Sequence, residues 1–164
     1  MKTFKQFIHE SSLSRVVSKS KKGGTAILSG SRADKSPKEN KARAKQLDKD
    51  IRGKGLGGAT KATGRYTEKD DETGKETKVK ERSHIVSSGK KGKRKFKKAI
   101  KSLGKKYGQD SVLIQKKKGT AGLTATRKGG LGDKKSVSIG KMRPGRPDKE
   151  GDTTVKKKPL SYVK

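Results

Sequence analysis

Residues 36–53 read SPKENKARAKQLDKDIRG, and they decide the fold because they mark both ends of one helix. Ser36 is a typical N-cap, Pro37 suits the first helical position, and Glu39 completes a capping box. Three apolar residues recur at helical spacing: Ala44, Leu47 and Ile51. Glycines that can end a helix follow at once: Gly53 and Gly55. The stretch predicts a helix from Pro37 to about Arg52.

The flanking sequence predicts strands and a second helix. Residues 25–28 predict a buried strand, and residues 59–67 and 79–87 predict a hairpin around an acidic, glycine-containing loop. Residues 112–115 and 123–126 predict two more strands. The second helix is indicated by apolar residues at helical spacing and a terminal glycine: Phe96, Ala99, Ile100, Leu103, Tyr107 and Gly108.

This order, β-α-β-β-α-β-β, predicts an α+β domain with both helices on one face of a sheet. We expect residues from both helices and from three strands to share one core: Leu47, Ile51, Phe96, Ile100, Leu103, Ile27, Ile85 and Val112. A short amphipathic helix is expected from Met1 to about Lys19, because Phe4, Phe7 and Ile8 share one helical face. The glycine-rich stretch Gly53–Gly58 is interpreted as a flexible linker.

Composition limits the function classes. Hydrophobic residues make up only 25% of the 164 residues, so the core is small. Cysteine is absent, which excludes disulfides, thiolate zinc sites and cysteine nucleophiles. Two histidines cannot build a metal site alone, and no cofactor motif is present, so we expect no metal and no cofactor. No apolar run approaches the roughly 18 residues of a membrane span, so we expect no membrane partner.

Charge is the most informative property. The chain has 47 Lys and Arg against 16 Asp and Glu, a formal charge of +31. Such an excess favours a polyanion, because each phosphate neutralised releases condensed cations. No zinc finger, basic zipper or helix-turn-helix is evident, so we expect sequence-independent binding of double-stranded DNA through its phosphates. The predicted nucleic-acid-binding residues are basic side chains of one dense segment: Lys93, Arg94, Lys95, Lys97, Lys98, Lys101, Lys105, Lys106, Lys116, Lys117 and Lys118.

Catalytic motifs are absent from the sequence. No nucleophile elbow, phosphate-binding loop or paired carboxylate set is found. A sheet of this kind could gather several polar residues on one surface, which we interpret as caps and turns: Asn40, Arg43, Glu81, Ser83, His84 and Gln109. The sequence therefore predicts a protein that is not an enzyme and has no catalytic residue.

The first ten residues, MKTFKQFIHE, resemble the capsid-targeting propeptide of internal head proteins from T-even-like myophages. In that family the prohead protease cleaves after a glutamate that has Ile or Leu two residues earlier. Ile8 and Glu10 followed by Ser11 fit this pattern, and none of the other six glutamates does. The resemblance implies residues 1–10 as a propeptide. From the sequence pattern we expect residues 11–24 to be a linker, 25–129 the α+β domain and 130–164 a disordered basic tail.

A second resemblance covers about Ala26 to Leu123 and is to a small bacterial α+β domain family of unknown function. The matching residues are spread over both helices and the hairpin: Ser36, Glu39, Asn40, Arg43, Gly64, Tyr66, Glu81, Ser83 and the run from Tyr107 to Leu113. More lysine and the inserted Gly53–Gly58 depart from the pattern. This resemblance implies a fold and no activity.

Together these features favour a phage internal head protein. It would be packaged with DNA in the capsid interior, contact the prohead protease and scaffold core, and reach the host cytoplasm if ejected with the genome. Two alternatives stay open. One is a ribosomal or chromatin-like nucleic-acid-binding protein, and the other is a host-takeover enzyme of unknown activity.

Overall fold

The computed structural model describes residues 12–69, 72–116, 119–144, 151–155 and 158–163. Three helices are present in these ranges: α1 (Ser12–Lys22), α2 (Pro37–Gly53) and α3 (Lys93–Lys106). Nine strands accompany them: β1 (Thr25–Ser29), β2 (Gly57–Lys69), β3 (Glu76–Ser87), β4 (Ser111–Gln115), β5 (Thr120–Ala125), β6 (Gly130–Asp133), β7 (Ser136–Pro144), β8 (Gly151–Val155) and β9 (Lys158–Val163). The α+β class is confirmed.

The start of α2 has the geometry that its sequence predicts. The Ser36 hydroxyl accepts a hydrogen bond from the Glu39 backbone N–H, and the Glu39 carboxylate accepts one from the Ser36 N–H at 2.8 Å. Pro37 occupies the first turn, where its missing N–H costs nothing. Gly55, with φ of 63°, lies just beyond the helix end. The predicted helix is therefore confirmed almost to the residue.

The second helix and the hairpin are also confirmed. Helix α3 buries Phe96, Ile100 and Leu103, and Gly108 follows it with φ of 74°. Strands β2 and β3 pair as an antiparallel hairpin around the predicted loop. Gly57 already pairs with Ser87 in this hairpin, so the glycine-rich stretch enters the sheet instead of acting only as a linker.

Eight of the strands form a closed antiparallel sheet in the order β1-β3-β2-β8-β9-β7-β5-β4. Strand β7 pairs with β5, and β9 joins β7 to β8. The described parts of residues 130–163 thus lie in strands, in the segment that the sequence analysis assigned to a disordered tail. The composition of this segment did not indicate strands, because lysine, glycine and proline are uncommon in them.

The main core lies between one face of the sheet and the helices α2 and α3. Its strand residues are Ala26, Leu28, Val86 and Val112, and its helix residues include Leu47, Ile51 and Leu103. The prediction that Ile27 and Ile85 join this core is wrong, because they pack in a second cluster on the opposite face. Neighbouring strand residues point to opposite faces, so an error of one position moves a side chain across the sheet.

The second cluster is covered by α1. Val16 of α1 is only 3% exposed and packs with Ala62 and Ile85. Helix α1 contacts both β3 and β7, which stand four places apart in the ring of eight strands. It therefore lies inside the closed sheet, whereas α2 and α3 lie outside. No helix of the described residues is long and apolar enough to cross a membrane.

Candidate functional site

The hairpin of β2 and β3 brings a carboxylate, a hydroxyl and a glycine together. Glu81 lies directly opposite Gly64, and Ser83 lies opposite Ala62. Residues that face each other across antiparallel strands share a face of the sheet, and so do residues two apart on one strand. Glu81, Ser83 and Gly64 therefore share the face that carries Ile85. Ser83 is buried and Glu81 is half-buried.

Gly64 leaves room for these two side chains. A Cβ atom added at Gly64 would lie 3.1 Å from the Ser83 hydroxyl oxygen and 3.5 Å from Glu81 Cγ. Any larger residue at position 64 would therefore push against the hydroxyl and crowd the glutamate. The small residue lets the carboxylate lie against the sheet instead of extending into solvent.

Two further half-buried carboxylates, Asp48 and Asp50, are held by basic neighbours. Asp50 accepts hydrogen bonds from Lys106 Nζ at 2.7 Å and from the Tyr107 hydroxyl at 2.8 Å. The Lys106 hydrogen bond is the main reason that the pKa of Asp50 lies below its usual value. Asp48 forms an ion pair with Arg52 at 2.8 Å. Asp50 therefore ties α2 to the end of α3, whereas the Asp48 pair lies within α2.

Three of the polar residues singled out in the sequence have structural roles. Asn40 accepts from the Arg32 N–H and donates to two carbonyls, which fixes the loop before α2. Arg43 donates to the carbonyls of Gly30 and Tyr107. The Gln109 side chain accepts from the Ser29 N–H at 3.1 Å. Interpreting these residues as caps and turns agrees with their contacts.

His84 is buried on the opposite face of β3 from Glu81 and Ser83. Only 3% of it is exposed, and burial is the main reason that its pKa lies below the usual value. Among the described residues its Nδ1 is the one buried side-chain atom without a hydrogen-bond partner. The structure therefore separates His84 from Glu81, although the two are only three residues apart.

The predicted nucleic-acid-binding residues lie mostly along α3. Lys101 of this helix is half-exposed. Seven others are exposed on it: Lys93, Arg94, Lys95, Lys97, Lys98, Lys105 and Lys106. Lys106 is engaged by Asp50. Lys116 is exposed at the end of β4. Lys117 and Lys118 lie outside the described residues, as do Ile8, Glu10 and Ser11 of the predicted processing site.

A cleft lies beside the first turn of α3, where β4, β5 and β7 run past it. Its volume is about 430 Å³, within the range of small-molecule sites. Phe96, Ile114 and Ala121 form its apolar part. Among the residues that the structure describes, five lysines line it and no acidic residue does: Lys22, Lys91, Lys93, Lys97 and Lys116. A cationic ligand is disfavoured here, whereas an anion is attracted.

Comparison with known families identifies this arrangement of elements. Residues 26–163 match the S-adenosylmethionine lyase family. The chain belongs to this family. The match confirms that the domain resembles a small α+β family, and it extends the family region beyond Leu123 through the strands of the C-terminal part. No curated protein matches the chain.

Family membership corrects the prediction that the protein is not an enzyme, because a lyase family is a family of enzymes. The sequence contains no catalytic motif that indicates this enzyme class, which is why sequence reasoning missed it. The sequence analysis interprets Glu81 and Ser83 as structural residues, and the structure places both beside Gly64. The signal that could have been used is the pairing of Gly-x-Tyr with Glu-x-Ser across one predicted hairpin, which brings Gly64 against Glu81.

Proposed function

We propose that this protein cleaves S-adenosylmethionine and that Glu81 contacts the cationic part of the substrate. The observation that carries the proposal is the family match over residues 26–163. Glu81 supports it, because it is a half-buried carboxylate on the inner face of a family-matched hairpin. S-adenosylmethionine has a sulfonium and an ammonium group, and either is attracted by a carboxylate in a site of low dielectric.

The chemistry requires little from the protein beyond positioning. When a carbon–sulfur bond of the sulfonium breaks, the sulfur keeps the electron pair and leaves as a neutral thioether. The carbon that it leaves forms a new bond to a nucleophile of the same substrate, such as its own carboxylate, or the carbon fragment loses a neighbouring proton and becomes an alkene. A lyase reaction adds no water, so exclusion of water and correct orientation of the substrate are the main demands on the site. A carboxylate also offsets the repulsion that a chain of charge +31 exerts on a cationic substrate.

Turnover of S-adenosylmethionine by the purified full-length chain tests the proposal. Chromatography with mass detection should show loss of substrate and appearance of a thioether nucleoside. Glu81→Gln should lower kcat/KM by about 100-fold, since it removes the charge and keeps the size. Glu76→Gln, at an exposed position of the same strand, is the matched control. A folded wild-type protein without turnover, or an active Glu81→Gln variant, would refute the proposal.

A second function is favoured by the first ten residues and by α3. We propose that the chain is an internal head protein, packaged with phage DNA and cleaved after Glu10. The pattern Ile8-His9-Glu10 supports processing. The exposed basic side chains of α3 support binding to duplex phosphates. An enzyme carried in the capsid and delivered with the genome joins the two proposed functions.

Processing is tested by N-terminal sequencing of protein from purified particles. The mature chain should begin at Ser11, and Glu10→Ala should block cleavage. Glu72→Ala, which lacks Ile or Leu two residues earlier, should be cleaved normally. Intact Met1 in mature particles would contradict the assignment.

DNA binding is tested by replacing four lysines of α3 with glutamine: Lys97, Lys98, Lys101 and Lys105. Affinity for all duplex sequences should fall alike, and the dependence on salt should flatten by about 0.9 log unit per lost phosphate contact. The control replaces four exposed lysines of α2: Lys38, Lys41, Lys45 and Lys49. Equal losses in both variants, or a strong preference for one DNA sequence, would refute a phosphate-binding surface on α3.

A further inference from the structure

The cleft beside α3 differs in charge from what a sulfonium substrate needs. It is lined by lysines without any acidic residue, and Glu81 is not among its lining residues. S-adenosylmethionine has two cationic groups and one carboxylate, so these lysines repel more of the molecule than they attract. The cleft therefore fits a ligand of the opposite charge.

Two polar residues that line the cleft, Ser88 and Thr124, have hydroxyl groups that a ligand can use. Ser88 and Thr124 are each 8% exposed, and their hydroxyls have no hydrogen-bond partner among the described residues. Gln115 also lines the cleft at the end of β4, but its side chain accepts a hydrogen bond from Thr25 on the opposite face of the strand from Ile114. Neither of the Ser88 and Thr124 hydroxyl oxygens is fully buried, because among the described residues only His84 Nδ1 is a buried side-chain atom without a partner. Both hydroxyls are therefore accessible to a ligand in the cleft. Their position along one cleft indicates a polar ligand.

The chain holds this cleft open at a glycine pair. A Cβ atom at Gly23 would lie 2.7 Å from the Ser88 hydroxyl, and one at Gly24 would lie 3.2 Å from the Phe96 ring. Side chains at these two positions would collide with the polar and the apolar wall, respectively. The turn from α1 into β1 is therefore narrow enough to leave both walls accessible to a ligand.

The end of α3 adds to the anion preference of the cleft. Gly92 caps the helix without a side-chain hydrogen bond, and the first turn contains no acidic residue. The amide groups at such an end carry partial positive charge. Lys93 and Lys97 of the same helix reach the cleft. The lysines and the helix end thus agree that the ligand is an anion.

We propose that this cleft is a binding site for a nucleoside phosphate and is distinct from the site of S-adenosylmethionine cleavage. The volume of about 430 Å³ far exceeds the need of an inorganic phosphate and suits a ligand of nucleotide size. The apolar wall of Phe96 and Ile114 suits a base, the lysines suit the phosphate, and the hydroxyls of Ser88 and Thr124 suit the polar groups of sugar and base.

Calorimetric titration of the full-length protein with adenosine monophosphate, adenosine and inorganic phosphate tests the site. The monophosphate should bind saturably and at least tenfold more tightly than either fragment. Thr124→Val and Ser88→Ala should each weaken this binding about tenfold, because each removes one hydroxyl with little change of shape. Ser102→Ala, at an exposed position of α3, is the matched control and should bind like wild type. Circular dichroism verifies that each variant is folded. Because two variants are tested, the result can still be interpreted if one of them does not fold.

Other outcomes would overturn the proposal. Absence of monophosphate binding would do so, and so would binding that both hydroxyl variants leave unchanged. Duplex DNA that binds while the monophosphate does not would make the cleft part of a polyanion surface. Competition between the monophosphate and S-adenosylmethionine in the turnover assay would place the cleft within the lyase site. Monophosphate binding retained in Glu81→Gln supports two separate sites, whatever the turnover result.

Discussion

Helices α2 and α3 cover the same face of the sheet, yet their ends and charges are satisfied in opposite ways. Helix α2 begins with a reciprocal capping box and pairs Asp48 with Arg52. Helix α3 begins at Gly92 without a side-chain cap, and its first turn contains Lys93, Arg94 and Lys95. Cations near a helix N-terminus are unfavourable.

The difference separates a structural helix from one suited to a ligand. Local hydrogen bonds and ion pairs stabilise α2, whereas α3 depends on the burial of Phe96, Ile100 and Leu103. Its repelling charges cost stability in the free protein and are relieved when an anion binds. The charges of α3 therefore lower the folding stability of the free protein and raise its affinity for an anion.

The largest effect is expected in the core that both helices share. Leu103 and Leu47 are each 0% exposed, so Leu103→Ala and Leu47→Ala should each lower the free energy of unfolding by about 2 to 5 kcal/mol. Lys101→Ala should change it little, or raise it by relieving repulsion. Denaturant titrations with and without duplex DNA measure this. If Leu103→Ala unfolds like wild type, α3 is not packed on the sheet and the comparison fails.

An intermediate effect is expected at the helix starts. Ser36→Ala should destabilise by about 0.5 to 2 kcal/mol, since it removes the cap of α2. Gly92→Asp should stabilise by about 0.5 to 1 kcal/mol, because it adds both a cap and a negative charge at α3. A Cβ at Gly92 meets nothing within 4 Å, so the aspartate fits.

Thermal melts of these variants compare the two ends directly. Gly92→Ala is the control that separates the effect of a cap from that of the added Cβ. We expect Gly92→Asp to bind an anion in the cleft more weakly, because the new aspartate carboxylate lies beside the lysines that line the cleft. Stabilisation by Gly92→Ala equal to that by Gly92→Asp would show that capping is not what α3 lacks.

Sequence predicts the elements of this fold whose signals are local. The cap and spacing of α2, the apolar spacing of α3 and the hairpin lie within short windows, and all three are confirmed. The side of the sheet on which Ile27 and Ile85 lie depends on the register between distant strands. No short window contains that information. Closure of the sheet by β7, β8 and β9 likewise depends on pairing between strands that are distant in the sequence.

The candidate site shows the same limit. Its basic side chains are obvious in the sequence, because they are consecutive. Glu81 and Gly64 are seventeen positions apart and become neighbours only through the register of β2 and β3. The cleft combines Ser88, Gln115 and Thr124 from three different segments. Such long-range contacts leave no pattern in a short window, so the sequence predicts the basic side chains and not these groupings.

The smallest effect is expected on the α2 side, where His84 lies buried within reach of the charge of Asp48. Burial holds the pKa of His84 below its usual value of 6.5 in the folded protein. The unfolded chain therefore takes up a proton first as the pH falls. The stability contributed by neutral His84 is complete above the unfolded pKa and decreases as the pH falls below about 6.5.

Melting temperatures between about pH 7.5 and pH 5.5 isolate this group, because carboxylates titrate mainly at lower pH. Wild type should lose stability over this interval, and His84→Gln should lose less. His9→Gln removes the other histidine of the chain and should behave like wild type. The described apolar face of α3 has one buried ionisable neighbour, Tyr107, and burial raises the pKa of its hydroxyl. Tyr107 therefore stays neutral as the pH falls, and acid should weaken the α2 side first. An equal slope in His84→Gln and wild type would show that His84 does not distinguish the two helices.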